Sequence, residues 1–159
     1  MKGSYSTDEI YNLWTMLEQV HSGITLARDR ELEQHGLSTI KAAALFIIDS
    51  IGNEATPAEI SRWIVRRPHS VSGLLDRMEK DGLIKRTKNL HKKNLVRVTI
   101  TPKGRQAYNI SLNRKTINQV LSILTKQERK ELYGYLEKLR NKSLKVAGIT
   151  HKPPFPAST

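Results

Sequence analysis

Five histidines stand at positions 21, 35, 69, 91 and 151 of this 159-residue chain, and there is no cysteine. That scatter lacks the clustered His and Cys spacing a zinc site needs. Without thiols, disulfide frameworks, thiolate metal sites and thiol redox sensing are excluded. No Gly-rich phosphate loop follows a strand, no nucleophile elbow occurs and no carboxylate pair sits in a pocket-like context. Neither an enzyme nor a cofactor site is expected. The residues that could do chemistry are the cations. Lys and Arg number 27 against 15 Asp and Glu, a formal charge of +12. Residues 1–60 carry a net −5, residues 61–127 a net +13 and residues 128–159 a net +4. From Gly82 to Lys126 there is no acidic residue. Lys and Arg placed against phosphates release condensed counterions, so a segment this basic is the electrostatic footprint of a duplex-binding module. A solvated basic face would look the same by charge alone, so local structure must decide between them.

The elements that would position these cations are mostly helical. Ser6 and Glu9 have capping-box spacing, followed by apolar residues at Ile10, Leu13, Trp14, Leu17, Val20, Ile24 and Ala27, one helical stripe ending near Gly36. A second helix begins at Ser38 and closes before Gly52. Thr56-Pro57-Ala58-Glu59 opens a third, with a Thr cap, Pro at the first helical position and Glu placed to bond back. That helix runs through Ile60, Trp63 and Ile64 and is stopped by Pro68, which opens a fourth. Val71, Leu74, Leu75 and Met78 share one face of the fourth helix, while His69, Ser70, Ser72, Gly73, Asp76 and Arg77 fall elsewhere. Two helices on a short connection, the second with small polar residues on its exposed N-terminal half, describe a helix-turn-helix.

Leu83-Ile84-Lys85-Arg86 then reads as a short strand, and Leu95 to Ile100 alternates with period two. The polar, basic stretch from Thr87 to Asn94 between them makes a hairpin with a cationic tip. A helix-turn-helix followed by a β hairpin is a winged helix. One helix from Thr101-Pro102 to Leu124 and a last one from the Thr125–Glu128 capping box through Leu132, Leu136 and Leu139 complete the chain, with a Pro-rich tail, 151–159, expected to be disordered. No apolar run approaches the roughly 20 residues of a membrane span. The polar start, Met1 to Thr7, lacks the apolar core of a signal peptide. No membrane partner and a cytoplasmic location are expected.

These residues resemble the MarR family of winged-helix transcription regulators. Ala58-Glu59-Ile60-Ser61 through Val71-Ser72-Gly73-Leu74-Leu75-Asp76-Arg77-Met78-Glu79-Lys80-Asp81-Gly82-Leu83-Ile84 is similar to the family's helix-turn-helix, and Val98-Thr99-Ile100-Thr101-Pro102-Lys103-Gly104 to the end of its wing. The resemblance covers roughly Ile10 to Leu139. It implies a mainly α fold with a small β wing: one domain over 1–150, with a winged helix-turn-helix core over about 38–101 and N- and C-terminal dimerisation helices over about 6–35 and 102–147. It further implies a homodimer presenting two recognition helices about one DNA turn apart to a pseudo-palindromic operator, and a small-molecule effector of unknown identity. The function expected is a sequence-specific double-stranded DNA-binding regulator, a repressor relieved by a small ligand. The rival readings are an architectural binder of low sequence specificity and a module that docks a partner protein.

On this reading His69, Ser70, Ser72 and Gly73 face base edges, with capping as the other role open to Ser70. Arg66, Arg67, Arg77 and Arg86 are phosphate clamps, and Lys88, His91, Lys92, Lys93 and Asn94 form the wing tip. The family's wing usually carries Asp-x-Arg where this chain has Lys92-Lys93-Asn94, an Arg often stands at the position of Gly73, and a turn Gly is common where this chain has Val65. Trp14, Trp63 and His21 read as core, dimer seam or helix-face residues rather than as a cofactor box.

Overall fold

The computed structural model describes residues 8–88 and 95–156. Its elements are α1 (Glu9–Glu33), α2 (Thr39–Ile51), a 3-10 turn (Gly52–Glu54), α3 (Pro57–Ile64), α4 (Pro68–Lys80), β1 (Ile84–Lys88), β2 (Val96–Ile100), α5 (Pro102–Ser111), α6 (Lys115–Leu121) and α7 (Lys126–Val146). This is a mainly helical winged helix with a two-stranded antiparallel sheet. The capping signals place the helix starts: Ser38 caps α2, and Thr56–Glu59 and Thr125–Glu128 form full capping boxes at α3 and α7. At α1 the cap is Asp8, whose carboxylate accepts from the N–H groups of Ile10 and Tyr11. Asp8 sits immediately before the helix and offers a charged acceptor, so the Ser6 start expected from spacing gives way to it; Ser6 itself lies outside the described residues.

One buried cluster organises the middle of the chain. Leu45, Ile48, Ile60, Val71, Leu75, Met78, Ile84 and Val98 pack together from α2, α3, α4 and both strands. The strands pair from Ile84 with Ile100 to Lys88 with Val96. The N–H of Val98 also donates to Ala55 O at 2.9 Å, so the segment before α3 lies against the outer edge of β2.

The Gly-Leu-Ile and Thr-Pro-Lys-Gly frames join as a clasp at the base of the wing. The Thr101 hydroxyl donates to Gly82 O at 2.6 Å and accepts from Gly104 N at 3.0 Å, while Thr101 N donates to Leu83 O at 3.1 Å. A Cβ on Gly104 would stand 1.9 Å from Leu83 O, so only glycine allows this approach. Gly82, at φ 74°, ends α4 in the left-handed conformation, with Leu83 N bonded back to Met78 O.

One expectation is corrected. The helix expected from Thr101-Pro102 to Leu124 is two helices, α5 and α6, broken between Ser111 and Lys115. The buried guanidinium of Arg28, from α1, donates to Ser111 O at 2.5 Å and to Asn113 O at 3.0 Å. Those are carbonyls a continuous helix would use itself. Glu31 pairs with Arg28 at 2.8 Å and accepts from Thr116 N at 3.0 Å, which fixes the start of α6. Residues 151–156 lie against the helices. The Phe155 ring packs against Phe46 of α2, tilted by 55° with centroids 4.7 Å apart, Pro153 is buried, and Arg140 donates to Pro156 O at 3.2 Å. Much of the α1 stripe is solvent-facing within one chain: Ile10, Leu13, Trp14 and Val20 are all at least half exposed. Tyr135, Leu136 and Leu139 of α7 are exposed as well.

Candidate nucleic-acid interface

The connection between α3 and α4 is three residues long, Val65-Arg66-Arg67, and it turns through a left-handed residue. Val65 has φ 57° and ψ 48°, a conformation that is an outlier for a β-branched side chain. Buried Ser61 holds it there: its hydroxyl donates to Arg66 O at 2.7 Å, and Arg66 N donates to Ser61 O at 3.2 Å. The turn therefore keeps the geometry that glycine would give more cheaply. Beyond it, Arg67 is the N-cap of α4 without a side-chain cap bond, and Pro68 fills the first helical position.

On α4 the core face and the open face separate as the spacing predicts. Val71, Leu74, Leu75 and Met78 are buried, whereas His69, Ser70, Ser72 and Arg77 are exposed. Ser70 makes no capping bond, since no side chain caps α4. Gly73 is half-buried, and a Cβ there would lie 3.5 Å from Arg77 Nη1. The Arg77 side chain thus lies back over Gly73, toward the N-terminus of the helix, as helical side chains do. Where the family often carries an Arg, the bare glycine here lets the cation four residues later cover the same ground.

The structure divides the basic residues into paired and unpaired. Arg86 is held by Asp76 at 2.7 Å and by Glu79, whose carboxylate takes the Arg86 guanidinium at 2.7 and 2.8 Å and its backbone N–H at 2.7 Å. These bonds, the backbone N–H first, hold the Glu79 carboxyl below its ordinary value. Arg86 consequently ties β1 to α4 and is less open to a phosphate than its charge suggests. Arg97 is similarly held by Glu54 and Arg105 by Asp49, and Asp81 accepts from Lys41 at 2.8 Å. Arg66, Arg67, Arg77, Lys85 and Lys88 form no ion pair among the described residues, and all are exposed. His91, Lys92, Lys93 and Asn94 lie outside the described residues.

Behind the turn is a cavity of about 400 Å³ between α1, α2, α3 and the C-terminal segment. Phe46, Trp63 and Phe155 form aromatic walls, and His21 and Arg66 line it as well. Sequence reasoning did not find it, because its walls come from positions more than a hundred residues apart and no local pattern links them.

The organohalide sensing RdhR-CbdbA1625 transcriptional regulator, solved in its 2,4-dichlorophenol bound form, is 39% identical; the match covers 96% of this chain and 91% of that one, with a TM-score of 0.85. Its ligand free form is 38% identical over 99% of this chain and 98% of that one, with a TM-score of 0.86. A model of the MarR family matches residues 35–93. The chain belongs to the MarR family. A mutant MarR from E. coli, solved with operator DNA, shares the fold at 20% identity, covering 86% of this chain and 99% of that one with a TM-score of 0.78. No curated protein matches the sequence. As a member of this family the chain is a transcriptional regulator. Among its described residues there is no group of His, Asp and Glu that could hold a metal ion, and no helix is long and apolar enough to cross a membrane.

Proposed function

We propose that this protein is a homodimeric, sequence-specific duplex-DNA-binding regulator, a repressor whose hold on a pseudo-palindromic operator is relieved by a small aromatic ligand. The observation that carries the reading is the exposed N-terminal half of α4, set beside a row of cations that no carboxylate neutralises. His69, Ser70, Ser72 and Gly73 face base edges in the major groove, with Arg77 lying over Gly73 to extend that surface. Arg66, Arg67 and Lys88 clamp phosphates, and His91, Lys92, Lys93 and Asn94 meet the backbone or the minor groove. Arg86 acts as a positioning residue, fixing the wing to the recognition helix through Asp76 and Glu79.

The dimer is supported by the apolar residues that one chain leaves open on α1 and α7, among them Trp14, Leu13, Leu136 and Leu139. Large exposed apolar faces on a chain of this size mark association surfaces, and a two-fold pair would set two α4 helices toward adjacent major grooves. The ligand is supported by the aromatic-walled cavity and by the dichlorophenol held by the 39%-identical regulator.

Selection of tight-binding duplexes from a random library at physiological salt tests the reading. An inverted repeat with half-sites about one turn apart is the expected product, preferred over random DNA by about 10³ or more. Bound but unrelated sequences would establish an architectural binder instead, and no bound duplex would point to a protein partner.

A further inference from the structure

The turn between α3 and α4 carries a strain that its surroundings do little to offset. Val65 N–H donates to Arg62 O at 3.3 Å and Arg66 N–H to Ser61 O at 3.2 Å. These are the paired bonds that close a helix C-terminus through one left-handed residue. Glycine usually holds that position, because a Cβ there meets the following carbonyl. Here the residue is valine, at φ 57°. Val65 is 43% exposed, so side-chain packing does not explain why it stays in so unfavourable a conformation.

Ser61 supplies a bond that the ordinary motif lacks. Its hydroxyl donates to Arg66 O at 2.7 Å, so Ser61 holds both the N–H and the carbonyl of Arg66. At 5% exposure Ser61 cannot itself reach a duplex. What it holds lies on the surface assigned above to DNA. Arg66 and Arg67 are the next two residues, and Pro68 then enters α4 with its φ fixed by the ring. No side chain caps α4, so its entry direction follows from the path of the chain at residues 65–67. We infer that Ser61 is a positioning residue for DNA binding: its hydroxyl keeps Val65 left-handed, and so sets Arg66, Arg67 and the start of α4 before the duplex arrives. The inference rests on the DNA-binding reading above and names the buried group on which that surface depends. Without the hydroxyl, Val65 relaxes toward an ordinary conformation, and only a fraction of molecules keep the turn that fits. Affinity falls by that fraction, while the contacts made in the complex stay the same.

The test measures affinity of the full chain for the duplex recovered by selection, over a range of salt and well below the melting of each variant. Ser61→Ala should bind about tenfold more weakly, the population penalty of one left-handed β-branched residue. Its slope of log affinity against log salt should stay within about half of one of the native value, because no phosphate contact is removed. Val65→Gly should bind within about twofold of the native protein, since glycine adopts the turn unaided. In the Val65→Gly background, Ser61→Ala should lower affinity by at most about twofold, the non-additivity expected of a compensating pair. Exchange of the Arg66 amide, followed by NMR, should quicken in Ser61→Ala and return toward the native rate in the double variant. Thermal melts check that every variant is folded. Native-like affinity in a folded but less stable Ser61→Ala, or the same loss with valine and with glycine at position 65, would overturn the assignment while leaving the DNA reading in place. Failure of the native protein to bind any duplex would overturn the DNA reading and this inference with it.

Discussion

Glu31→Gln probes the joint that holds α1 to the break between α5 and α6. Glu31 pairs with buried Arg28 and accepts from Thr116 N. Burial alone would raise its carboxyl, but the bonds from Thr116 and Arg28 overcome that and bring it from the ordinary 4.5 down to about 2. At about 1.4 kcal/mol per pH unit, that difference corresponds to roughly 3 kcal/mol of folding stability near neutral pH. The folded value lies below the unfolded one. The contribution is therefore complete above about pH 5.5 and is lost as pH falls toward about 2. Glutamine keeps the shape and an acceptor for Thr116 but removes the charge, leaving Arg28 buried beside neutral neighbours. Urea unfolding followed by circular dichroism, at one fixed protomer concentration because association would add to stability, should show the variant about 2–3 kcal/mol weaker at pH 7. The gap should narrow to about 1 kcal/mol by pH 3. Arg28→Met with Glu31→Gln should cost less than the two single changes added together, since no buried charge is then left alone. A gap below about 1 kcal/mol at pH 7, or one unchanged between pH 7 and pH 3, would refute the reasoning.

The wing clasp makes a steric prediction: Gly104→Ala should destabilise by about 3 kcal/mol or more in the same unfolding assay, because its Cβ would meet Leu83 O at 1.9 Å and only backbone movement relieves that; a native-like midpoint would contradict the close approach. Val65→Gly should be neutral or stabilise by up to about 1 kcal/mol, since it removes a β-branched side chain from a left-handed residue at φ 57° at the cost of backbone entropy; a lower melting temperature by several degrees would mean that the Val65 side chain packs more than its exposure implies. In DNA binding, log affinity should fall against log salt with a slope of about −5 to −9, and Arg67→Ala should flatten it by about one. Arg86→Ala should weaken binding while leaving the slope within about half of one, and a slope change equal to that of Arg67→Ala would return Arg86 to the phosphate clamps. Deleting residues 151–156 removes Phe155 and Pro156 from the cavity wall and should weaken 2,4-dichlorophenol binding about tenfold with DNA affinity unchanged; equal phenol affinity would show that the segment is dispensable to the site.

Local chemistry made much of the architecture legible in the sequence. Thr56-Pro57-Ala58-Glu59 and Thr125–Glu128 specify helix starts because the groups that satisfy each other lie three residues apart. The spacing of Val71, Leu74, Leu75 and Met78 specifies the buried face of α4, and with it the open face that His69, Ser70 and Ser72 occupy. The acid-free stretch from Gly82 specifies where cations collect. All of these depend on neighbours close by along the chain.

What only the tertiary structure decided depends on groups brought together from far apart. Periodicity continues straight through Ser111 to Arg114, yet a guanidinium from Arg28, 83 residues back, takes the carbonyl at Ser111 and the helix breaks. Charge counting treats Arg77 and Arg86 alike, while the fold leaves Arg77 over a bare Gly73 and locks Arg86 to Asp76 and Glu79. The tail's composition suggests disorder, but Phe155 finds Phe46 across the molecule and becomes a cavity wall. A sequence states which groups exist and how they are spaced along the chain. Which of them meet, and so which charges remain free to meet DNA, is set by long-range packing.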